Sequence, residues 1–239
     1  MPGQELRYQS DGLTMIGSLH RPAKGGAAPG VLVFPEAFGL GEHAIGKAER
    51  IASELGYVAL ACDLWGERKQ LNGLAEVMPA LGALSGDAAR LRGRVTDALK
   101  TLTSQDGVDA SRTAALGFCF GGTMSFELAT CSDIKAAIGF HSGLNVPSLA
   151  SDAKQIKAKV LALLGADDPG IAPEQRQAFI DTLTTAGVDW QMTLYGGVVH
   201  SFTNPHADRV GQPAFARYDE KADKRSWLQM AALLNEAFA

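Results

Sequence analysis

The sequence predicts an α/β fold in which a mostly parallel central sheet carries helices on both faces. Short, continuous apolar runs at residues 31–34 and 136–140 are typical of strands that are covered on both faces. Segments with helical spacing alternate with such runs along most of the chain, which favours parallel strands joined by helical crossovers. We predict one domain over residues 1–239, because a chain of this length commonly forms a single α/β unit.

The predicted elements follow one another in a regular order. Residues 5–9 and 14–20 alternate in polarity around a turn signal at 10–12, which is typical of an antiparallel ribbon at a sheet edge. Further strands are predicted at 31–34, 57–61, 112–117, 136–140, 159–164 and 190–195. Helices are predicted at 43–55, 121–130, 173–186 and 221–238, with two more between 69 and 104 that are separated near 85–86. The segment 69–86 is the predicted candidate for a mobile flap.

Composition and charge argue against several classes of protein. The formal net charge of -4 makes neither nucleic acid nor an anionic membrane an expected partner. The N-terminus lacks a basic region followed by an apolar core, and no apolar run is long enough to span a bilayer, so a cytoplasmic location is expected. Three cysteines without paired spacing favour neither a disulfide framework nor a zinc site. We expect no metal or organic cofactor, and a monomer or small homo-oligomer.

A glycine-bracketed cysteine follows one of the apolar runs. The pattern predicts a strand that ends near Gly117, a sharp turn with Cys119 at its apex, and a helix that begins near Gly121. The N–H groups and the dipole of that helix start would favour a thiolate. Such a turn is a nucleophile elbow. The alternative is that Cys119 is a small buried apolar residue, which is the interpretation preferred for Cys62 and Cys131.

A thiol nucleophile needs a base, and two histidines follow predicted strands. His200 lies after the last strand, beyond a flexible loop at 196–199, and is the preferred base. His141 directly follows the strand at 136–140 and is the alternative base or a residue that lines the substrate site. The remaining histidines are less well placed for this role: His20, His43 and His206.

Two carboxylates follow the predicted strand at 159–164. We expect Asp168 to orient the base, because Pro169 fixes the backbone after it, and Asp167 to cap the turn. The alternative is that both aspartates only cap a loop. The chain order of nucleophile, acid and histidine is that of α/β-hydrolases, and it is independent of the elbow.

With these residues identified, the sequence resembles the dienelactone hydrolase family of α/β-hydrolases. The family pattern G-x-C-x-G-G is present at residues 117–122. The likeness extends over nearly the whole chain and includes ordered matches at 34–40, 56–66, 199–205 and 222–227. It implies an α/β-hydrolase fold and a triad of Cys119, Asp168 and His200.

The resemblance also implies roles for residues near the first central strand. In the family, the carboxylate at the position of Glu36 lies near the resting thiol and takes part in switching it to the thiolate when substrate arrives. The backbone N–H groups of Ala37 and Phe120 would form the oxyanion hole.

The sequence departs from the family pattern at two positions, of which the first concerns the substrate and the second the rigidity of a loop. Asn204 stands where the family has an arginine that holds a substrate carboxylate, and the candidates to replace it are Arg68, Arg90 and Arg209. Cys62 stands where the family commonly has a proline before Asp63. Three aromatic residues are expected to shape the pocket, with His141 and Asn204 beside them: Phe38, Trp65 and Phe202.

The sequence therefore predicts a cysteine-dependent hydrolase of small lactones or carboxylic esters that works through a thioester acyl-enzyme. One alternative is a general carboxylesterase or thioesterase with the same triad. The other, from a different class, is a non-catalytic binding or redox-sensing protein in which Cys119 is oxidised reversibly.

Overall fold

The computed structural model describes residues 3–239 and contains an eight-stranded sheet with the strand order β1-β2-β4-β3-β5-β6-β7-β8. The strands are β1 (Gln4–Ser10), β2 (Leu13–His20), β3 (Ala28–Phe34), β4 (Val58–Ala61), β5 (Val108–Phe118), β6 (Ala136–Phe140), β7 (Lys159–Gly165) and β8 (Trp190–Tyr195). All pairs from β4 to β8 are parallel, whereas β1 and β2 form an antiparallel ribbon that joins β4 at one edge. The predicted α/β fold is confirmed.

Helices cover both faces of the sheet. They are α1 (Glu42–Arg50), α2 (Leu74–Ser85), α3 (Ala88–Thr103), α4 (Phe120–Ala129), α5 (Leu149–Asp152), α6 (Pro173–Ala186) and α7 (Glu220–Phe238). One core contains residues of α2, α3, α4 and α6, represented by Leu84, Val95 and Phe126. The other contains residues of α1 and α7, represented by Ala48 and Met230. Burial of these two apolar layers is the main favourable contribution to folding.

Several boundaries differ from the predicted ones. The strand β3 begins at Ala28 rather than at residue 31, because Pro29 lies at a register shift against β5 where its missing N–H is tolerated. The predicted helix at 43–55 is α1 followed by a π-helical turn at Ile51–Leu55. The short helix α5 was not predicted, since four residues are too few to show a helical period.

No helix within residues 3–239 combines the length and the apolar character that crossing a membrane requires. The strands β3, β5, β6 and β7 end at the same edge of the sheet because they are parallel. The loops that leave these strands therefore bring distant parts of the chain together at that edge.

Candidate active site

Cys119 lies at the apex of the turn between β5 and α4. Its backbone angles, φ 55° and ψ -120°, are strained for a residue with a side chain. The turn is possible because its flanking positions are glycines. A Cβ on Gly117 would lie 2.0 Å from the carbonyl oxygen of Gly121, and a Cβ on Gly121 would lie 2.3 Å from that of Phe34. The predicted elbow geometry is present.

Asp168 and His200 form a buried pair beside Cys119. His200 Nδ1 donates to Asp168 Oδ2 at 2.7 Å, and the other carboxylate oxygen accepts from the N–H of Gly170 at 2.8 Å. The ring of His200 stacks on Phe215, with a centroid distance of 5.1 Å. Because Nδ1 is committed to Asp168, the remaining nitrogen, Nε2, is the one available to Cys119.

The proton of His200 is strongly held. Burial lowers its pKa, but attraction to Cys119, with which the imidazole is hydrogen-bonded, and the hydrogen bond to Asp168 together raise the pKa to about 10. The raised pKa favours the protonated form of the His200 ring at neutral pH. A thiol beside a protonated imidazole is an arrangement that suits nucleophilic catalysis.

The carboxylate of Glu36 is held by two donors from the loop after His200. Its Oε1 accepts from Ser201 Oγ at 3.2 Å and its Oε2 from Asn204 Nδ2 at 2.7 Å. Burial raises the pKa of Glu36, although the hydrogen bond from Asn204 opposes the shift. In this conformation both oxygens of Glu36 are engaged with Ser201 and Asn204.

His43 lies beside Glu36, which the sequence did not reveal. Its Nε2 lies 3.0 Å from the carbonyl oxygen of Thr203, which can only accept, so Nε2 carries the proton. The bare Nδ1 lies 3.7 Å from Glu36 Oε2. Burial lowers the pKa of His43 to about 3, so the ring is neutral.

His141, the alternative base, is fully buried. Its Nε2 lies 2.9 Å from Thr203 Oγ1, and its ring packs edge-on against His200 at a centroid distance of 5.1 Å. Burial and the neighbouring charge of His200 hold the pKa of His141 well below its usual range. These contacts favour a supporting role for His141 and leave His200 as the residue suited to proton transfer.

A cavity of about 510 Å³ adjoins the site. Glu36 and Ser201 line it, whereas Cys119, His200 and Asp168 do not. Its walls come from the loop after β3, the start of α1, the segment that leads into α2, and the loop around Asn204 and Arg209. The predicted flap residues 70–74 therefore lie at this cavity.

The structure brings two of the predicted substrate residues, Phe38 and Asn204, to the cavity wall. The other three lie elsewhere. His141 and Phe202 are fully buried, and Trp65 directs its indole N–H to the carbonyl oxygen of Ala37 at 2.9 Å. Phe202 therefore belongs to the core.

The N–H groups of Ala37 and Phe120 are available for a ligand. Neither donates a backbone or side-chain hydrogen bond to any acceptor in residues 3–239. Ala37 itself is buried. A buried N–H without a protein acceptor is unusual and suits a site that binds a negatively charged oxygen.

The three candidate arginines have different surroundings. Arg68 donates to the carbonyl oxygens of Ile16 and Gly17 at 3.2 and 3.0 Å, and Arg90 pairs with Asp11. Arg209 lines the cavity. Of the three, Arg209 is the one positioned to contact a ligand there.

Known proteins resemble this chain over most of its length. The sequence model of the dienelactone hydrolase family matches residues 15–238. A solved structure of a dienelactone hydrolase-like promiscuous phosphotriesterase from metagenomic libraries is 41% identical, with a TM-score of 0.94 over 99% of this chain and 98% of that one. An uncharacterized protein of Caenorhabditis elegans is 31% identical over 63% of this chain and 96% of its own length.

A Salmonella typhi protein with the provisional name carboxymethylenebutenolidase is 34% identical over 56% of this chain. The chain spans about half the length of that relative, 51%. The family match, in contrast, includes the elbow, both loops that carry the acid and the histidine, and the last helix. The chain therefore belongs to the dienelactone hydrolase family and is an ester or lactone hydrolase with an α/β-hydrolase fold.

Proposed function

We propose that this enzyme hydrolyses small carboxylic esters and lactones with Cys119 as the nucleophile, through a thioester acyl-enzyme. The observation that carries the proposal is the contact of Cys119, at a strained apex, with an imidazolium whose second nitrogen is bound by Asp168 at 2.7 Å. An imidazolium beside the sulfur would stabilise a thiolate and supply a proton, which are the two requirements of acyl transfer.

In the first half of the reaction, the Cys119 sulfur attacks the carbonyl carbon of the substrate. The electron pair of the carbonyl moves to its oxygen, which accepts hydrogen bonds from the N–H groups of Ala37 and Phe120. Collapse of this intermediate breaks the bond to the leaving oxygen, and that oxygen takes the proton of His200 Nε2. The products of this half are an alcohol, or the opened end of a lactone, and a thioester on Cys119.

In the second half, water hydrolyses the thioester. The neutral imidazole of His200 takes a proton from the water as its oxygen attacks the thioester carbon, and Asp168 stabilises the imidazolium that forms. Expulsion of the Cys119 thiolate releases the carboxylic acid and restores the starting pair. We assign to Glu36 the task of adjusting the charge that acts on His200, which its buried carboxylate, with its raised pKa, can do by changing protonation.

The cavity that adjoins the triad would hold the part of a small substrate that does not react with Cys119. A volume of about 510 Å³ accommodates a molecule with one or two rings, and both apolar and polar side chains line it. Asn204 is neutral, so a substrate carboxylate would find its cation in Arg209. A comparison of lactones that carry a carboxylate with otherwise similar neutral lactones therefore tests whether Arg209 contributes to substrate binding.

Intact mass measurement during turnover tests the nucleophile. With 4-nitrophenyl acetate we expect a species heavier by one acetyl group on the native enzyme and none on Cys119→Ala, together with a loss of activity of about 10³-fold or more. Cys131→Ala, a matched removal of a thiol outside the site, should behave like the native enzyme. Full turnover in Cys119→Ala would overturn the proposal.

Assays with a panel of substrates distinguish the proposed activity from the thioesterase and redox-sensor alternatives. The panel should contain lactones, aryl esters and acyl thioesters, and a strong preference for thioesters would favour the thioesterase interpretation. Turnover without a change in the redox state of Cys119 would exclude a redox sensor as the main role.

The similarity to the metagenomic phosphotriesterase supports a second candidate activity, since the identity is 41% over nearly the whole chain. An aryl dialkyl phosphotriester therefore belongs in the panel. We expect slow hydrolysis that depends on Cys119. Complete inertness of this compound would remove the second activity and leave the first untouched.

A further inference from the structure

A second cavity, of about 200 Å³, lies between α2, the first half of α3 and the loop after β4 that carries Trp65. Three basic residues line it: Lys69, Arg90 and Arg94. Its other walls are apolar and include Trp65, Leu71 and Leu84. We call it the cationic cavity. Of the residues named here, only Leu71 also lines the 510 Å³ cavity at the candidate active site.

The positive charge around the cationic cavity exceeds the negative charge that the fold provides. The two guanidinium groups of Arg90 and Arg94 both bind the same carboxylate oxygen of Asp11. Within residues 3–239, no carboxylate lies within 4.0 Å of the Lys69 ammonium group. Two of the three cations thus share one carboxylate and the third has none within 4.0 Å, which leaves a site that attracts a negatively charged group.

A buried N–H group of Arg94 that has no acceptor is a second, independent indication of a ligand. Its side chain is 5% exposed, and two of its nitrogens donate, to Asp11 at 3.0 Å and to the carbonyl oxygen of Leu64. The third nitrogen of the guanidinium group, Nε, is buried and has no acceptor among the described residues. An unpartnered N–H on a buried cation is costly, and an oxygen anion or a water bound beside Arg94 would satisfy it.

We propose that the cationic cavity binds a small organic carboxylate with an apolar body. The acid group would lie among Lys69, Arg90 and Arg94, and a single ring or a short chain would contact the indole of Trp65 and the side chains of α2. The volume of about 200 Å³ suits a ligand with a single ring or a short chain. Inorganic anions would leave the apolar walls without a partner.

Two hydrogen bonds connect the cationic cavity with the loop after β3 at the candidate active site. The indole N–H of Trp65 donates to the carbonyl oxygen of Ala37, whose own N–H is assigned to the oxyanion hole. The N–H of Leu71 donates to the carbonyl oxygen of Phe38 at 2.9 Å. A ligand that shifts Trp65 or Leu71 would therefore move this loop. This kinetic consequence rests on the proposed function, whereas the binding itself does not.

Titration of the native protein with benzoate, followed by tryptophan fluorescence and calorimetry, tests the proposal without turnover. We expect saturable binding of benzoate and none of the neutral analogue benzamide. Lys69→Gln and Arg90→Gln should each weaken benzoate by about tenfold, since each removes a charged hydrogen-bond donor. Lys154→Gln, which removes a charge at another surface cavity, should leave the affinity unchanged.

Arg209→Gln decides between the two cavities. If benzoate occupies the cationic cavity, its affinity in Arg209→Gln equals that of the native protein. Benzoate binding that is lost in Arg209→Gln and kept in Lys69→Gln would assign the ligand to the active-site cavity and overturn the proposal. Absence of any saturable binding would overturn it as well, whatever the hydrolytic assays show.

Discussion

Replacing Asp168 with asparagine is expected to lower kcat by roughly 10³-fold with a much smaller change in KM. Asp168 Oδ2 accepts the Nδ1 proton of His200 at 2.7 Å and so leaves Nε2 for Cys119. An asparagine amide can donate to Nδ1 instead, which holds the neutral tautomer that carries its proton on Nε2. That tautomer cannot take a proton from the thiol or from water. Steady-state hydrolysis of an aryl ester measures the loss.

Asp167→Asn is the matched control, because Asp167 is exposed and adjoins Asp168 in the same turn. We expect its kcat to stay within about twofold of the native value. Equal activity of the two variants would refute the assignment of Asp168.

The titration of His200 gives a second measurement on the Asp168 variant. The native pKa of about 10 should fall when the carboxylate is lost, because the contribution of Asp168 disappears while the attraction to Cys119 remains. Because the pKa of His200 is higher in the folded protein than in the unfolded chain, protonation of its ring stabilises the native protein. This stabilisation is complete below the unfolded pKa and is lost as the pH rises towards 10. The variant should therefore lose less stability between about pH 6.5 and pH 10 than the native enzyme does. NMR of the imidazole and denaturation at several pH values provide the two readouts.

Replacing Gly117 with alanine is expected to lower the free energy of unfolding by about 3–5 kcal/mol. The added Cβ would lie 2.0 Å from the carbonyl oxygen of Gly121, which is backbone and cannot move aside like a flexible side chain. To relieve this overlap, β5 and α4 must separate, and they position Cys119. Activity should fall together with stability. Chemical denaturation measures the change in the free energy of unfolding.

Gly93→Ala provides the contrasting substitution. Gly93 lies inside α3, and a Cβ there would meet nothing within 4 Å. Because alanine has the higher helix propensity, this variant should gain about 0.5–1 kcal/mol. A Gly117→Ala protein as stable as Gly93→Ala would show that the elbow tolerates a side chain, and the steric account of the turn would be wrong.

Local pattern was sufficient to predict the elbow and the elements around it. A steric requirement at Gly117 and Gly121 leaves a direct trace in the sequence, because only glycine satisfies it. The helix α6 and the strand β8 were predicted with their observed bounds, since proline at a first turn and a β-rich run are local signals.

Contacts between distant residues were not predictable in this way. The hydrogen bond from His43 to Thr203 joins residues 160 positions apart, and the bond from Asn204 to Glu36 joins residues 168 positions apart. No local pattern of apolar and polar residues indicates that two such distant residues are in contact. Phe202 illustrates the same limit, because a residue next to a catalytic loop has the same local pattern whether it faces the pocket or the core.

The contrasting surroundings of the three cysteines make this protein convenient to derivatise at one position. Cys62 is 1% exposed, and burial raises the pKa of its thiol far above the usual range. Burial also raises the pKa of Cys131. Cys119 is partly exposed and hydrogen-bonded to a cation. A substoichiometric alkylating reagent at neutral pH therefore modifies Cys119 first, so a fluorophore or spin label can be attached there without deleting the other cysteines.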